Sequence, residues 1–278
     1  MSVFPEDFPG ANDAAKIQAA INFAQSNTDK VVELANRDYV ITGPIVVKEG
    51  VKLQFNYASR FVIYGNYRVL ELQRNASLSG AYIAIDDAAF NGAVIYLDGK
   101  YKYYNTWNKT KIENVNIINW SGSHKGTGLS LYSNGTGHEI SFVNFDNINF
   151  AGLNTAIKLQ AVKPASGFSW VNANRFLNMS IDDCVNGVIL TSSETIPNEC
   201  SGNQFMNMQI QPSAATKKLF TINGQYNEFH GIAWDLQLIT VTTPIVEFTA
   251  ASSYNTINFL SIPASKMVNR GRFNRIIS

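Results

Sequence analysis

The chain has 278 residues, of which 45% are hydrophobic and only 15% charged, and its formal net charge is +1. That balance supplies a large core and argues against a general nucleic-acid binder, whose phosphate partner demands a basic surface. No apolar run approaches the length of a membrane-crossing helix, so no membrane insertion is expected. Met1 is followed by a polar segment rather than a signal peptide, which points to a chain made soluble in a cytoplasm or to a sequence without its leader. Cys184 and Cys200 are too few and too close for a disulfide framework or a zinc site. They predict buried thiols, and neither a metal nor another cofactor is expected. No linker or charge block divides the sequence, which predicts one domain over residues 1–278.

Asn12 and Asp13 can cap a helix over 12–26 whose apolar positions are Ile17, Ala20, Ile21 and Ala24. That narrow stripe suits a helix lying over the end of something else. After Asn27 the pattern changes to short β-runs: Val31 to Leu34, Tyr39 to Ile41, Ile45 to Val47 and Val51 to Phe55.

The stretch Asn12-Asp13-Ala14-Ala15-Lys16-Ile17-Gln18-Ala19-Ala20-Ile21 resembles the opening of the pectate-lyase-superfamily, or pectin-lyase-like, β-helix proteins. The segment from Val31 through Tyr39 to Gly50-Val51-Lys52-Leu53 continues the likeness, which is specific over roughly the first 55 residues. The resemblance implies that the helix caps the open first coil and blocks edge pairing. Members of that superfamily include phage tailspikes and the neck appendages of phages infecting Gram-positive hosts.

Two elements recur along the rest of the chain. The first is an apolar residue, any residue, Asn or Gly, then apolar-x-apolar. It appears from Leu78, Ile112, Phe145, Phe176, Phe205 and Phe229, with a weak copy from Ile257. The second is a short alternating strand about ten residues on, as in Ile95-Tyr96-Leu97-Asp98 or Ile157-Lys158-Leu159-Gln160. Seven copies at intervals of 24 to 34 residues mean a solenoid. The fold expected is an all-β, right-handed, single-stranded parallel β-helix with an N-terminal capping helix. Its coils span about 31–265, followed by a C-terminal segment, 266–278. The break in alternation places Asn114, Asn147, Asn178 and Asn207 at a stacked bend, similar to the tight second turn of pectin-lyase-like helices.

On that frame the second element is the strand that floors the family's binding groove. Its outward residues form columns: Glu71, Tyr96, Ser130, Lys158, Ile189, Thr221, Glu247, and beside them Gln73, Asp98, Tyr132, Gln160, Thr191, Asn223, Thr249. Aromatic residues in the loops that follow or precede these strands are candidates to stack on sugar rings: Tyr101, Tyr104, Trp107 and Trp170, with His138 on one wall, and Trp120 with His124 on the other. Tyr132 and Lys158 join them from the floor. Between Lys100 and Lys163 lie seven lysines and three acids, a local excess suited to an anionic glycopolymer, although simple surface charge is the commoner origin of lysines.

Two pairs of acids are candidates for catalysis. Ile181-Asp182-Asp183-Cys184-Val185 is similar to the Asp-Asp-Cys motif of polygalacturonases, while Asn154-Thr155-Ala156 stands where those enzymes carry Asn-Thr-Asp. The third carboxylate, a Gly-His-Gly and an Arg-x-Lys are missing. Ile85-Asp86-Asp87 precedes Asn91-Gly92 in the same way, so Asp182-Asp183 also reads as a turn device. Glu113 and Asp146 share an outward position in consecutive coils, at the separation of about 5 Å used by retaining glycosidases. They face away from the groove and would act only between subunits. Leu177 and Met206 continue their column as outward apolar residues, which suggests a face buried between chains.

The resemblance implies a virion tail or appendage protein, homotrimeric, that binds and depolymerises a bacterial surface polysaccharide or teichoic acid. A non-catalytic receptor-binding spike, and a secreted polygalacturonase-like hydrolase, are the other readings of the same residues.

Overall fold

The computed structural model describes residues 2–192 and 200–277. Every strand pairing among them is parallel, in two sheets of 14 and 13 strands. The chain winds as a right-handed parallel β-helix, the hand that parallel crossovers take. Apolar side chains point into the solenoid and stack by register. Phe145, Phe176, Phe205 and Phe229 lie one above another, with ring centroids 4.7, 4.4 and 4.8 Å apart and planes within 7°. Those distances match the spacing of adjacent strands, about 4.8 Å, so each ring packs face to face without leaving its rung.

The first coil is closed on three edges. Ser2–Val3 pairs with Val31 and Val32. The helix Asp13–Ser26, N-capped by Asn12 (Oδ1 accepts from Ala15 N, 2.9 Å), buries Ala14, Ile17, Ala20, Ile21 and Ala24 over the core. Its Asp13 carboxylate accepts from Val40 N at 2.8 Å, and Gln18 exchanges hydrogen bonds with both backbone groups of Val46. Peptide groups that would invite another strand are thereby occupied, as the sequence resemblance implied.

One sheet forms a broad face. In the early coils it is split into pairs of short strands, such as Ser77–Ser79 and Tyr82–Ile85. These merge when Lys111–Asn119 pairs with both at once. Asn114, Asn147, Asn178 and Asn207 stand where the halves join, in the left-handed region at φ of 53° to 58°. Gly80, at φ 73°, holds the same place one coil earlier. Asn147 donates to Asn114 at 2.8 Å and Asn207 to Asn178 at 3.3 Å, while Asn178 donates to Asp146 at 2.9 Å instead. The stack therefore exists, but it is exposed and lies within the broad strands. It is not the tight second turn that the sequence predicted.

That turn lies elsewhere. Asn174, Asn203, Asn227 and Asn255 are fully buried, each directly before a broad strand and directly after a residue in the left-handed region. The side-chain carbonyls of Asn203, Asn227 and Asn255 each accept from both the backbone N–H and the amide of the preceding Asn in the stack, at 2.9 to 3.1 Å, and that of Asn174 accepts from Val143 N at 3.0 Å. Asn274 receives Asn255 in the same way. The signal is present in the sequence as Asn-x-apolar: Asn174-Arg175-Phe176, Asn203-Gln204-Phe205, Asn227-Glu228-Phe229.

The second sheet carries the floor, with strands that include Ala93–Asp98, Thr127–Ser133, Thr155–Ala161 and Asn186–Thr191. Register places Glu71, Tyr96, Ser130, Lys158, Ile189, Thr221 and Glu247 in one column, in the order expected. Between floor and broad face runs a short third face of Tyr103–Tyr104, His138–Ser141, Ser169–Asn172 and Cys200–Ser201. The stack does not stop near residue 265. Met267–Asn269 pairs with the floor and Arg275–Ile277 with the broad face, so most of 266–278 forms a further coil. That coil is compressed to 19 residues between Asn255 and Asn274, and its Met267-Val268-Asn269 is not followed by apolar-x-apolar, which is why the sequence hid it.

Candidate functional site

The floor holds a cavity of about 390 Å³ lined by Arg68, Tyr96, Ser130, Tyr132, Lys158 and Gln160, with Asn91, Gly92, Ala93 and Thr127 at the strand starts. Adjacent rungs bring Tyr96 and Tyr132 into a stacked pair, ring centroids 6.5 Å apart. The Arg68 guanidinium lies 3.9 Å from the Tyr96 centroid, and these covers leave Tyr96 only 3% exposed. Burial pushes the Tyr96 phenol up to about 12, so it remains a neutral hydroxyl. Two cations line this cavity and no carboxylate does. Among the described residues, neither Arg68 nor Lys158 has an ion pair.

The acids lie at the turns that feed the floor strands, outside the cavity's lining. Asp182 ends the strand Arg175–Asp182, and Asp183 turns the chain at φ 50° toward Asn186–Thr191, one rung beyond Lys158. His124, also in the left-handed region, reaches across the intervening coil so that its Nε2 lies 2.9 Å from Asp183 Oδ2. Burial, with the Asp183 charge adding to it, holds the Asp182 carboxyl above its usual value. Comparison with Asp86-Asp87 separates turn chemistry from a freer role. Asp87 accepts from Gly65 N and Ala89 N, both at 2.8 Å, and so builds its turn. Neither the Asp182 nor the Asp183 carboxylate accepts a backbone hydrogen bond among the described residues. Ala156, at the polygalacturonase position of a third acid, is fully buried in the core, so that mechanism does not carry over.

The sequence-selected residues fall into separate places. Tyr132 and Lys158 line the floor cavity, while His124 meets Asp183 at the turn before the floor strand Asn186–Thr191, outside the cavity's lining. Trp120 does not face the groove: it lies 6.1 Å from Tyr82 on the broad face, with Arg60 at 5.8 Å. Tyr101 donates to Glu71 at 2.6 Å and packs as a strut against Tyr103. Trp107 projects from its loop, 86% exposed. His138 pairs in register with the buried Ser169, and its Nδ1 is buried without a partner among the described residues. Tyr104 and Trp170 meet at a second cavity on the short face. Glu113 and Asp146 are indeed neighbours in register, but Glu113 is paired with Lys111 at 2.6 Å and Asp146 accepts from Asn178. Arg68 and Gln160 were missed as site residues. Arg68 lies in a connection with no repeat to place it, and only the register of the floor reveals it.

Cys184 and Cys200 are buried and not joined in a disulfide, as expected. No cluster of His, Cys, Asp or Glu suited to a metal occurs among the described residues. No helix among them is long and apolar enough to cross a membrane.

No protein-family model matches this chain, and no curated protein matches it in sequence. Among solved structures, ORF18 of Geobacillus virus E2 superposes with a TM-score of 0.58 at 14% identity, over 98% of this chain. The chain spans 60% of that viral protein's length. At this identity the likeness shows the parallel β-helix fold alone. The A-modules of the Azotobacter vinelandii mannuronan C-5 epimerases AlgE6 and AlgE4 cover 99% of this chain and 98% and 97% of their own, at 12% and 11% identity. Their TM-scores, 0.43 and 0.30, carry no argument.

Proposed function

We propose that this chain is the β-helix of a phage virion protein of the tailspike or appendage kind, and that its floor groove binds an anionic bacterial surface glycopolymer. The observation that carries the reading is the floor cavity itself, with two cations, no carboxylate and a stacked tyrosine pair. Tyrosine faces pair with sugar rings, and Arg68 and Lys158 pair with uronate or phosphate groups. The shared fold with a viral protein supports the virion setting. Cleavage of the bound polymer is the second part of the proposal, supported by Asp182 and by the Asp183–His124 pair at the turn before the floor strand Asn186–Thr191.

Binding is tested by calorimetry with purified polyuronate, teichoic acid and a neutral glycan. An anionic polymer should bind, and Arg68→Ala with Lys158→Ala should weaken it about tenfold or more per cation. Equal affinity for the neutral glycan, or indifference to both substitutions, would sink the groove reading. Each lost cation should also flatten the salt dependence of binding.

Assembly as a homotrimer belongs to the same proposal. Leu177 and Met206 lie outward in register on the broad face, in the column of Glu113 and Asp146. Outward apolar residues on consecutive rungs suit a face covered by other copies of the chain. Light scattering should return three times the 30.7 kDa chain mass. A monomer at micromolar concentration removes this part of the proposal.

A further inference from the structure

The short face carries a cavity of about 260 Å³, lined by Tyr104, Glu139, Ser141, Phe142, Trp170 and Asn172. It shares no residue with the floor groove. Register builds it from two outward columns. Glu139 lies beside Trp170, and Tyr104 beside Ser141 and then Asn172. Phe142 turns outward at φ 59°, and its ring meets Tyr104 edge-on at 5.2 Å. Phe168, 5.8 Å from Trp170, extends the aromatic platform on the other side.

The polar groups are as informative as the rings. Ser141 Oγ donates to Asn172 Oδ1 at 2.5 Å, which fixes that oxygen and leaves the Asn172 amide N–H₂ free to donate. The Glu139 carboxylate accepts no hydrogen bond among the described residues. Its burial raises its pKa, against the pull of the Lys102 ammonium. The cavity thus pairs an aromatic face with an uncommitted acceptor and an uncommitted donor. A saccharide ring needs that set: its C–H face lies on the indole, and its hydroxyls both donate and accept. A uronate or phosphate would instead meet the Glu139 carboxylate in a partly buried site, where like charge is costly.

We infer that this cavity is a second carbohydrate site, separate from the floor groove, that takes a neutral pyranose unit stacked on Trp170 with hydroxyls on Glu139 and Asn172. Two sites of opposite preference would let the protein hold an alternating polymer, or a neutral chain beside a charged one. The inference does not depend on the groove reading, because no residue is common to the two.

The test is calorimetry of the full chain with cellohexaose, maltohexaose and chitohexaose as neutral probes, and hexagalacturonate as the charged one. At least one neutral hexaose should bind. Trp170→Ala and Glu139→Leu should each weaken it about tenfold or more while the cooperative melt of the β-helix is retained, because both side chains are half-buried on the outer face and not in the core. Lys158→Ala should leave this binding intact while weakening the charged probe. Failure of all three neutral hexaoses at millimolar concentration overturns the inference, as does neutral binding that survives Trp170→Ala. Binding of hexagalacturonate that is lost in Trp170→Ala but retained in Lys158→Ala overturns it too.

Discussion

Asn203→Ala should destabilise the protein by about 3 to 5 kcal/mol, the largest loss expected from one substitution outside the phenylalanine stack. Asn203 is fully buried, and its amide donates to Val171 O and to Asn227 Oδ1, both at 3.0 Å. Its carbonyl accepts from Asn174 N at 3.1 Å and from the Asn174 amide at 3.0 Å. Truncation removes those four hydrogen bonds; the Asn174 amide keeps Ile140 O and Asn227 Oδ1 keeps the backbone N–H of residue 203, while Val171 O and Asn174 N lose this partner in a dry interior, where an unsatisfied polar group costs about 1 to 3 kcal/mol. Asn207→Ala is the exposed control. Asn207 is the same residue type in the other stack, but it sits itself in the left-handed region, at φ 58°, is exposed and makes one side-chain hydrogen bond in the stack. It should cost less than about 1 kcal/mol, mostly through the backbone. Denaturant melts of the two variants decide the matter. Equal losses would mean that the two stacks contribute alike and that burial does not distinguish them.

If the chain cleaves the polymer as proposed, Asp182→Asn and Asp183→Asn should each reduce that cleavage about 10²- to 10⁴-fold, the range for loss of a general acid or base. Asp182, held above its usual pKa, suits the acid, and Asp183 is oriented by His124. The control for folding follows from the same shift. A carboxyl whose pKa is raised on folding lowers stability as pH rises past its unfolded value, because the charged form is the one that burial penalises. Asp182→Asn should therefore keep or raise the melting temperature at pH 7, and the two proteins should converge at pH ~2 where both forms are neutral. A turn former would show the opposite, a loss of stability at both pH values. If activity on the true polymer survives both replacements, the acids at this turn are structural. Cleavage must then be sought between subunits at Glu113 and Asp146, whose present partners Lys111 and Asn178 would have to yield.

The architecture was legible because a solenoid repeats its instructions. Phe145, Phe176, Phe205 and Phe229 recur at the same place in successive coils, and parallel pairing at a fixed spacing turns sequence period into spatial column. The floor columns followed for the same reason. Given one strand in register, Tyr96, Ser130 and Lys158 had to be neighbours. The capping helix was legible from Asn12 and its apolar stripe, which are local signals.

What only the tertiary structure decided was which side of a bend a residue faces and what lies against it there. A break in alternation marks a left-handed residue, but it does not say whether strand pairing continues across the break. It does continue across Asn114, while at Asn174 the chain turns inward. Period likewise says nothing of loops, whose length varies from coil to coil. Trp120 folded onto the broad face, Tyr101 became a strut, and Trp170 joined Tyr104 at a site the repeat did not announce. The sequence determined the columns, because strand spacing and side-chain alternation are fixed by the backbone. The fold alone decided the cavities, because they form where side chains from connections without a period happen to meet.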